Sequence, residues 1–350
     1  MGRRRRTKTG VDPNTVLPTG STLLNLACAD LSCGGYGIGK MTNLIGDSAA
    51  GKSFLALTML AEMAMDDRFK DYRFIYDDAE AACAFNMENL FGPAAKRILP
   101  PHVDDDGEAV PSGTVQDFEE NLHEYLDGDR PFVYVLDSFD SITSEEEENK
   151  LKANLKARAE GGKERGDFGV QKPKAFSRIM RNICRKLRDS KSFLLMISQT
   201  RDNIDPMSFS KRTRSGGRAL KFYASHEIWL GVVKTLRNAK YKRVIGSLVR
   251  AKVTKNKLTG KVREVEFPIY YDYGVDDIVS CVDFLMLEKH WKKTAQTIKA
   301  PELSLEGTKA KLISDIEDNP ELIPVLKKTV GEVWNGIEEN LKLNRKPRFT

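Results

Sequence analysis

Eight consecutive residues carry the clearest chemical signature in the sequence. The segment GDSAAGKS fits GxxxxGK[ST] without a mismatch, and it lies between a strand-like apolar run and a helical pattern. Glycines let backbone N–H groups close around phosphates, the lysine neutralises charge on the β- and γ-phosphates, and the last hydroxyl can ligate Mg²⁺ at a helix N-terminus. The sequence therefore predicts a nucleoside triphosphate site formed by Gly46, Asp47, Ser48, Ala49, Ala50, Gly51, Lys52 and Ser53.

Two carboxylates that follow other apolar runs complete the requirements of phosphate chemistry. Asp137 directly follows FVYVL, where a carboxylate at the end of a buried strand can hold Mg²⁺ through its water shell. Glu80 lies just beyond RFIY, where a general base can reach the water that attacks the phosphate. Asp77 and Asp78 compete for that role, although strand termination and loop solvation explain both more simply.

The elements that must position these residues are strands alternating with helices. Apolar, β-branched or aromatic runs occur at 40–45, 73–76, 132–136 and 193–197, with helical patterns between them. This order is typical of an α/β protein with a central, mostly parallel twisted sheet flanked by helices. We predict a basic flexible arm over 1–20, a core over 21–274, a small C-terminal α(+β) domain over 275–345 and a tail over 346–350.

The distribution of charge along the chain points to a polyanionic partner. The formal net charge of the 350 residues is only +6, but the blocks 150–188, 201–221 and 234–263 hold 13, 6 and 11 basic residues against 3, 2 and 0 acidic ones. These blocks together carry +25 and leave −19 for the remainder. Clustered Lys and Arg neutralise nucleic-acid phosphates, although solvated faces of helices and strands explain any single residue equally well.

Composition also excludes several classes of protein. No apolar run approaches the roughly 20 residues that cross a bilayer, and no apolar segment follows the arginines at 3–6 as it would in a secretory signal. The 5 cysteines are scattered without a CxxC spacing that would suggest a metal site. We expect a cytoplasmic protein with reduced thiols and no membrane partner.

Beyond the phosphate-binding segment, several strings resemble the RecA family of DNA strand-exchange ATPases, including its phage-type members. GGYGIGK at 34–40 precedes the loop as in the family, DAE at 78–80 and LDS at 136–138 resemble its acidic segments, and ISQTR at 197–201 resembles INQxR. The most specific match is GGRALKFYAS at 216–225, and VTKNK at 253–257 resembles the family's VxKNK strand. The resemblance covers roughly residues 20–340, and it implies a RecA-type P-loop ATPase core.

The resemblance implies roles for particular residues, with ATP and Mg²⁺ as cofactors. Mg²⁺ would be held by Ser53 and, through water, by Asp137. Gln199 would sense the γ-phosphate and signal to a DNA-binding loop, while two lysines would reach the nucleotide of a neighbouring subunit and so couple hydrolysis to assembly. An exposed basic strand face is the alternative for those lysines. The expected catalytic residues are Lys52, Glu80, Gln199, Lys255 and Lys257.

DNA-binding loops are expected near 144–174 and 200–218. Single-stranded nucleic acid is held by basic groups along its backbone together with apolar or aromatic groups that contact bases, and the second loop contains both kinds. The resemblance gives Ile204 the place of the family's base-separating aliphatic residue. The expected DNA contacts are Ser177, Arg181, Arg201, Ile204, Met207, Phe209, Lys211, Arg212, Arg214, Gly216, Gly217 and Arg218.

The chain also departs from the family pattern at identifiable places. Met87 stands where the family usually has a tyrosine that stacks on adenine, and Ala84 replaces a usual aspartate. EEEENKLKANLKARAEGGKERG appears as an insertion between Asp137 and Gln199, and only about 20 residues precede the core. Adenine recognition, the first DNA loop and the contacts between subunits are therefore the parts that the resemblance leaves open.

The function that this resemblance implies is ATP-dependent homologous recombination. The protein would coat single-stranded DNA as a filament and pair it with homologous double-stranded DNA, with a single-strand-binding or mediator protein as a further partner. Two alternatives stay open. One is a ring-forming helicase on the same core, and the other is a non-hydrolysing mediator or annealing protein.

Overall fold

The computed structural model describes residues 10–160, 171–202, 212–214, 217–294 and 296–345. Its helices are α1 (Thr22–Ala29), α2 (Lys52–Ala64), α3 (Met87–Phe91), α4 (Val115–Asp127), α5 (Glu145–Ala159), α6 (Gln171–Asp189), α7 (Gly217–Tyr223), α8 (Asp277–Leu287), α9 (Lys309–Glu317) and α10 (Leu322–Asn340). Its strands are β1 (Val16–Leu17), β2 (Tyr36–Gly37), β3 (Met41–Gly46), β4 (Arg73–Asp78), β5 (Ile98–Leu99), β6 (His102–Val103), β7 (Ala109–Val110), β8 (Phe132–Asp137), β9 (Phe193–Asp202), β10 (Arg212–Arg214), β11 (His226–Arg237), β12 (Val244–Asn256), β13 (Arg263–Tyr270), β14 (Gly274–Val275), β15 (Lys292–Thr294), β16 (Thr297–Ala300) and β17 (Leu305–Gly307).

The central sheet has the strand order β14-β13-β12-β11-β3-β9-β8-β4-β5, with β10 paired to β9. The strands from β11 to β5 are parallel, whereas β12, β13, β14 and β10 pair antiparallel to their neighbours. The four apolar runs identified in the sequence form β3, β4, β8 and β9. The predicted α/β class with a mostly parallel sheet flanked by helices is therefore confirmed.

Burial on both faces explains why these strands are continuously apolar. Along β8, Val133 and Val135 pack into one hydrophobic cluster with α2, while Phe132, Tyr134 and Leu136 pack into a second cluster with α4 and α6. Successive side chains of a strand point to opposite faces, so helices on both sides require apolar residues at every position.

The N-terminal segment differs from its prediction as a flexible arm over 1–20. Val11, Val16 and Leu17 are buried, and β1 pairs with β2, so residues 11–20 belong to the folded core. The basic and Gly/Pro-rich composition gave no sign of this packing, because Val16 and Leu17 form only a two-residue strand and are buried by contacts with distant segments. Residues 1–9, with the four arginines, lie outside the described residues, as does the tail 346–350.

The C-terminal segment is fastened to the core by a network of charges. The guanidinium of Arg263, at the start of β13, donates two hydrogen bonds to the carboxylate of Glu338 on α10, at 2.6 and 2.7 Å. Lys261 donates to Glu338 and to Asp30, both at 2.7 Å, and Trp334 donates to Asp30 at 3.2 Å. The domain boundary near 275 stays a prediction, since side chains on both sides of it share one hydrophobic cluster.

Replacing Glu338 by glutamine tests this network. Its hydrogen bonds with Arg263 and Lys261 lower the pKa of Glu338 from 4.5 to about 2, so its stabilisation is present above about pH 4.5 and is lost as the pH falls towards 2. We expect Glu338→Gln to lower the free energy of unfolding by about 2 kcal/mol at pH 7, and by less at pH 3. Urea titrations at both pH values measure it. The exposed neighbour Glu339→Gln is the control, and equal effects of the two substitutions would contradict the account.

Candidate functional site

A cavity of about 840 Å³ opens at the edge of the sheet where the parallel strands end. Strands β3, β4, β8 and β9 all run in the same direction, so the residues that follow them meet at this edge. The cavity is lined by residues 48–53 of the phosphate-binding segment together with Glu80, Asp137 and Gln199. The structure thus brings together residues that lie more than a hundred positions apart in the sequence.

The phosphate-binding segment connects β3 to α2 in a conformation that requires glycine at residue 51. Gly51 has φ +84°, and a Cβ built there would lie 2.4 Å from Cδ1 of Ile269. Gly51 caps α2 without a side-chain hydrogen bond, so the first backbone N–H groups of the helix are available to an anion. The Lys52 ammonium donates to the carbonyls of Gly46 and Asp47 at 3.0 and 2.8 Å. Burial lowers the pKa of Lys52, and the nearby carboxylates, which act to raise it, only partly offset this effect.

Oxygen ligands suited to Mg²⁺ lie beside this helix N-terminus. Ser53 Oγ donates to Asp137 Oδ2 at 2.5 Å, and the buried Tyr76 hydroxyl donates to the same oxygen at 2.7 Å. Burial raises the pKa of Asp137, while these hydrogen bonds act in the opposite direction. A hydroxyl and a carboxylate are the hard oxygen donors that Mg²⁺ prefers, so the residues present fit the ion.

The Glu80 carboxylate faces the same cavity and is held by two donors. Ser138 Oγ donates to Glu80 Oε1 at 2.5 Å, and Gln199 Nε2 donates to the same oxygen at 2.9 Å. Burial alone would raise the pKa of Glu80, but these hydrogen bonds outweigh it and lower the pKa below its usual value. Glu80 is therefore ionised at neutral pH and can accept a hydrogen bond from a water molecule.

The competing aspartates have structural roles. Asp77 is fully buried and accepts hydrogen bonds from the Ser112 backbone, the Ser112 hydroxyl and the Tyr134 hydroxyl at 2.6 to 2.9 Å. Asp78 accepts from the backbone N–H of Cys83 at 2.9 Å and so fixes the loop that carries Glu80. Neither aspartate lines the cavity.

The far wall of the cavity comes from residues that sequence reasoning missed. Phe54 and Phe85 pack with ring centroids 4.4 Å apart, and Tyr271 lines the cavity from just beyond β13. These rings provide apolar surface of the kind on which a nucleotide base packs. No local motif could reveal them, since they come from separate segments. Met87 packs against the hydrophobic core and does not line the cavity.

Lys255 and Lys257 lie towards the opposite end of the sheet, where the parallel strands begin. In the sheet register, Lys255 on β12 pairs with Glu227 on β11, which in turn pairs with Asn43 on β3. Asn43 precedes Gly46 by three residues, so Lys255 lies about 10 Å short of the level of Gly46 along the strand direction. Strand β12 runs antiparallel to β11, which places Lys257 still farther from the phosphate-binding segment.

Both lysines hold the C-terminal end of α7 in their own chain. Lys255 Nζ donates to the carbonyls of Lys221 and Phe222, and Lys257 Nζ donates to the Phe222 carbonyl at 3.0 Å. Cations at the last carbonyls of a helix also complement its macrodipole. Neither lysine lines the cavity of its own chain.

Comparison of the sequence with those of known proteins identifies relatives of this chain. The family profile of the RecA N-terminal domain matches residues 151–276. Protein RecA from each of two strains of Thermus thermophilus is 30% identical over 321 residues, which cover 91% of this chain and 85% of the relative. The chain belongs to the RecA family. It is a RecA-like recombination protein, as the resemblance of its motifs implied.

The expected second DNA loop of this RecA-family chain is shorter than predicted. Strand β9 continues to residue 202, residues 212–214 form β10 antiparallel to it, and α7 begins at residue 217. This hairpin pairs residues 200–202 with 212–214, and the residues that join its two strands lie outside the described residues. Only the backbone is described for Arg201, Arg212, Arg214, Gly217 and Arg218, and the described residues do not include Ile204, Met207, Phe209, Lys211 and Gly216.

The expected first DNA loop over 144–174 is largely helical, which corrects the prediction. Ser144 and Glu147 form a reciprocal capping box at the start of α5, whose first turn is acidic and whose last turn is basic. These local signals favour a helix although none of its residues is buried. Residues 161–170 lie outside the described residues. Ser177 is half-buried and Arg181 is exposed, one turn apart on α6, and their DNA contacts stay a prediction.

Within the residues that the structure describes, no helix combines the length and apolar character needed to span a membrane.

Replacing Lys52 by methionine tests the phosphate site. The ammonium lies at the helix N-terminus where phosphate charge would be neutralised, so its loss should weaken binding of Mg²⁺–ATP by about 100-fold. Binding of a fluorescent ATP analogue measures the change. Lys70→Met, at an exposed lysine far from the cavity, is the matched control. Similar affinities for the two variants would contradict the assignment.

Proposed function

We propose that this protein is a DNA-dependent ATPase that binds single-stranded DNA as an oligomer and promotes homologous pairing and strand exchange. The observation that carries the proposal is the contact of Gln199 with Glu80. Gln199 joins the carboxylate beside the phosphate-binding segment to β9, the strand that enters the expected DNA-binding hairpin. A change at the nucleotide can therefore reach the hairpin through one side chain.

The geometry supports hydrolysis with Glu80 as the base. Its ionised carboxylate would orient and deprotonate a water molecule, while Lys52 and the N-terminus of α2 stabilise the phosphates. Ser53 and, through water, Asp137 would hold Mg²⁺, which neutralises phosphate charge when bound. Gln199 donates to Glu80 here and has the reach to sense a γ-phosphate in the same cavity.

The position of the two lysines supports assembly of the protein into an oligomer. Lys255 and Lys257 lie away from their own cavity, and we place them against the nucleotide of a neighbouring subunit, as the family resemblance implies. A contact between opposite edges of successive subunits is heterologous, so it generates a helical filament unless the rotation closes a ring. Each complete ATP site would then require two subunits.

The first test is ATP hydrolysis with and without single-stranded DNA. We expect DNA to stimulate hydrolysis, and Glu80→Gln to lower kcat about 1000-fold with ATP and DNA binding retained, because the amide cannot accept the proton. The exposed Glu88→Gln on α3 serves as the control. Equal hydrolysis with and without DNA, together with no DNA binding, would refute the proposed function.

The second test mixes two inactive variants. Glu80→Gln lacks the base but supplies both lysines, whereas the double variant Lys255→Met/Lys257→Met lacks the lysines but has a complete cavity. If the lysines act across the interface, an equal mixture should regain activity at about a quarter of its interfaces. Steady-state ATP hydrolysis measures this. A mixture that stays as inactive as its components would show that the lysines act within their own chain.

A further inference from the structure

A short turn after β8 contacts both residues that the proposed function places at the γ-phosphate. The turn consists of residues 138–142. Ser138 Oγ donates to Glu80 at 2.5 Å, and Asp140 Oδ2 accepts from the Gln199 backbone N–H at 2.7 Å. The Phe139 backbone N–H also donates to the carbonyl of Ile197 on β9 at 2.9 Å. The position of the 138–142 turn therefore sets where Glu80 and Gln199 lie relative to each other.

Lys172 on α6 contacts the other side of this turn. Its ammonium donates to the carbonyls of Asp140 and Ile142 at 3.3 and 2.5 Å. The same ammonium lies 4.5 Å from the centre of the Phe139 ring. Phe176, one turn later on α6 and fully buried, packs edge-on against Phe139 with ring centroids 4.8 Å apart.

The 138–142 turn supplies two carbonyl oxygens and an aromatic face to the Lys172 ammonium. Charge-assisted hydrogen bonds of this kind are among the stronger ones in proteins. Lys172 thus fastens α6 to the turn.

Helix α6 is also the element that carries Ser177 and Arg181, two of the expected DNA contacts. They lie five and nine residues after Lys172, about one and a half and two and a half helical turns along α6. A displacement of α6 by bound DNA would consequently shift the 138–142 turn, and with it Ser138 and Asp140.

We propose that Lys172 is a positioning residue that transmits the binding of DNA at α6 to Glu80 and Gln199 through the 138–142 turn. This inference rests on the proposed function, because it assumes hydrolysis that DNA stimulates. It adds a second route from DNA to the nucleotide, separate from the hairpin of β9 and β10. Lys172 itself is not among the residues that line the nucleotide cavity.

A direct contact of Lys172 with DNA phosphate would predict different behaviour. Loss of a phosphate contact weakens DNA binding and raises the DNA concentration needed for half-stimulation, but saturating DNA then restores the rate. Lys174 is the matched control, because it lies two residues away on the same helix, carries the same charge and has an exposed side chain. Its ammonium is not among the donors to the 138–142 turn that the structure describes.

The experiment compares Lys172→Met, Lys172→Arg and Lys174→Met with the unsubstituted protein. We expect Lys172→Met to lower kcat at saturating single-stranded DNA roughly tenfold, with the dissociation constant for ATP unchanged within about twofold. Lys172→Arg should recover at least about half of the stimulated rate, since its guanidinium donates to the same carbonyls. Lys174→Met should reach the full stimulated rate once DNA is saturating.

Three outcomes separate the possibilities. Equal kcat at saturating DNA for Lys172→Met and Lys174→Met would overturn the inference while leaving the proposed function intact. An unsubstituted protein that DNA does not stimulate would refute the proposed function and the inference together. If Lys172→Met melts below the assay temperature, Lys172→Gln replaces it. A normal stimulated kcat in Lys172→Gln would overturn the inference, because an amide supplies neither the charge nor the reach of the lysine.

Discussion

The site depends on the parallel register of four strands. Because β3, β4, β8 and β9 point the same way, the segments that follow them meet at one edge of the sheet. Tight helix packing on both faces fixes that register, since a slip by one residue would turn apolar side chains from one cluster towards the other. The residues expected to bind phosphate, to hold Mg²⁺ and to act as the base are therefore brought together by one packing constraint.

A second consequence of the sheet is that the cavity and the two lysines lie at opposite ends of its parallel strands. The antiparallel return through β12 carries Lys255 and Lys257 towards the starts of the parallel strands, where they hold the end of α7. Helix α7 directly follows the expected DNA-binding hairpin. In the proposed filament, the groups that complete the nucleotide site of the next subunit would thus be adjacent to the expected DNA-binding hairpin. This separation would make hydrolysis dependent on assembly.

What the sequence predicts best is what local chemistry determines. The phosphate-binding segment and the ends of β4 and β8 are contiguous motifs, and Glu80 and Asp137 lie in the cavity as expected. The family resemblance was needed for Gln199, because a glutamine after a strand carries no signal of its own. Contacts such as Ile269 against Gly51, or Lys172 against the 138–142 turn, join distant segments and leave no trace in spacing. The burial of Val11, Val16 and Leu17 was missed for the same reason.

The most direct measurement is an electron cryo-microscopy map of the protein bound to single-stranded DNA, Mg²⁺ and a non-hydrolysable ATP analogue. We predict a helical filament with the nucleotide between residues 46–53 of one subunit and Lys255 and Lys257 of the next. A closed ring without DNA along its axis would contradict it. So would a nucleotide enclosed by a single subunit whose two lysines still hold the end of their own α7.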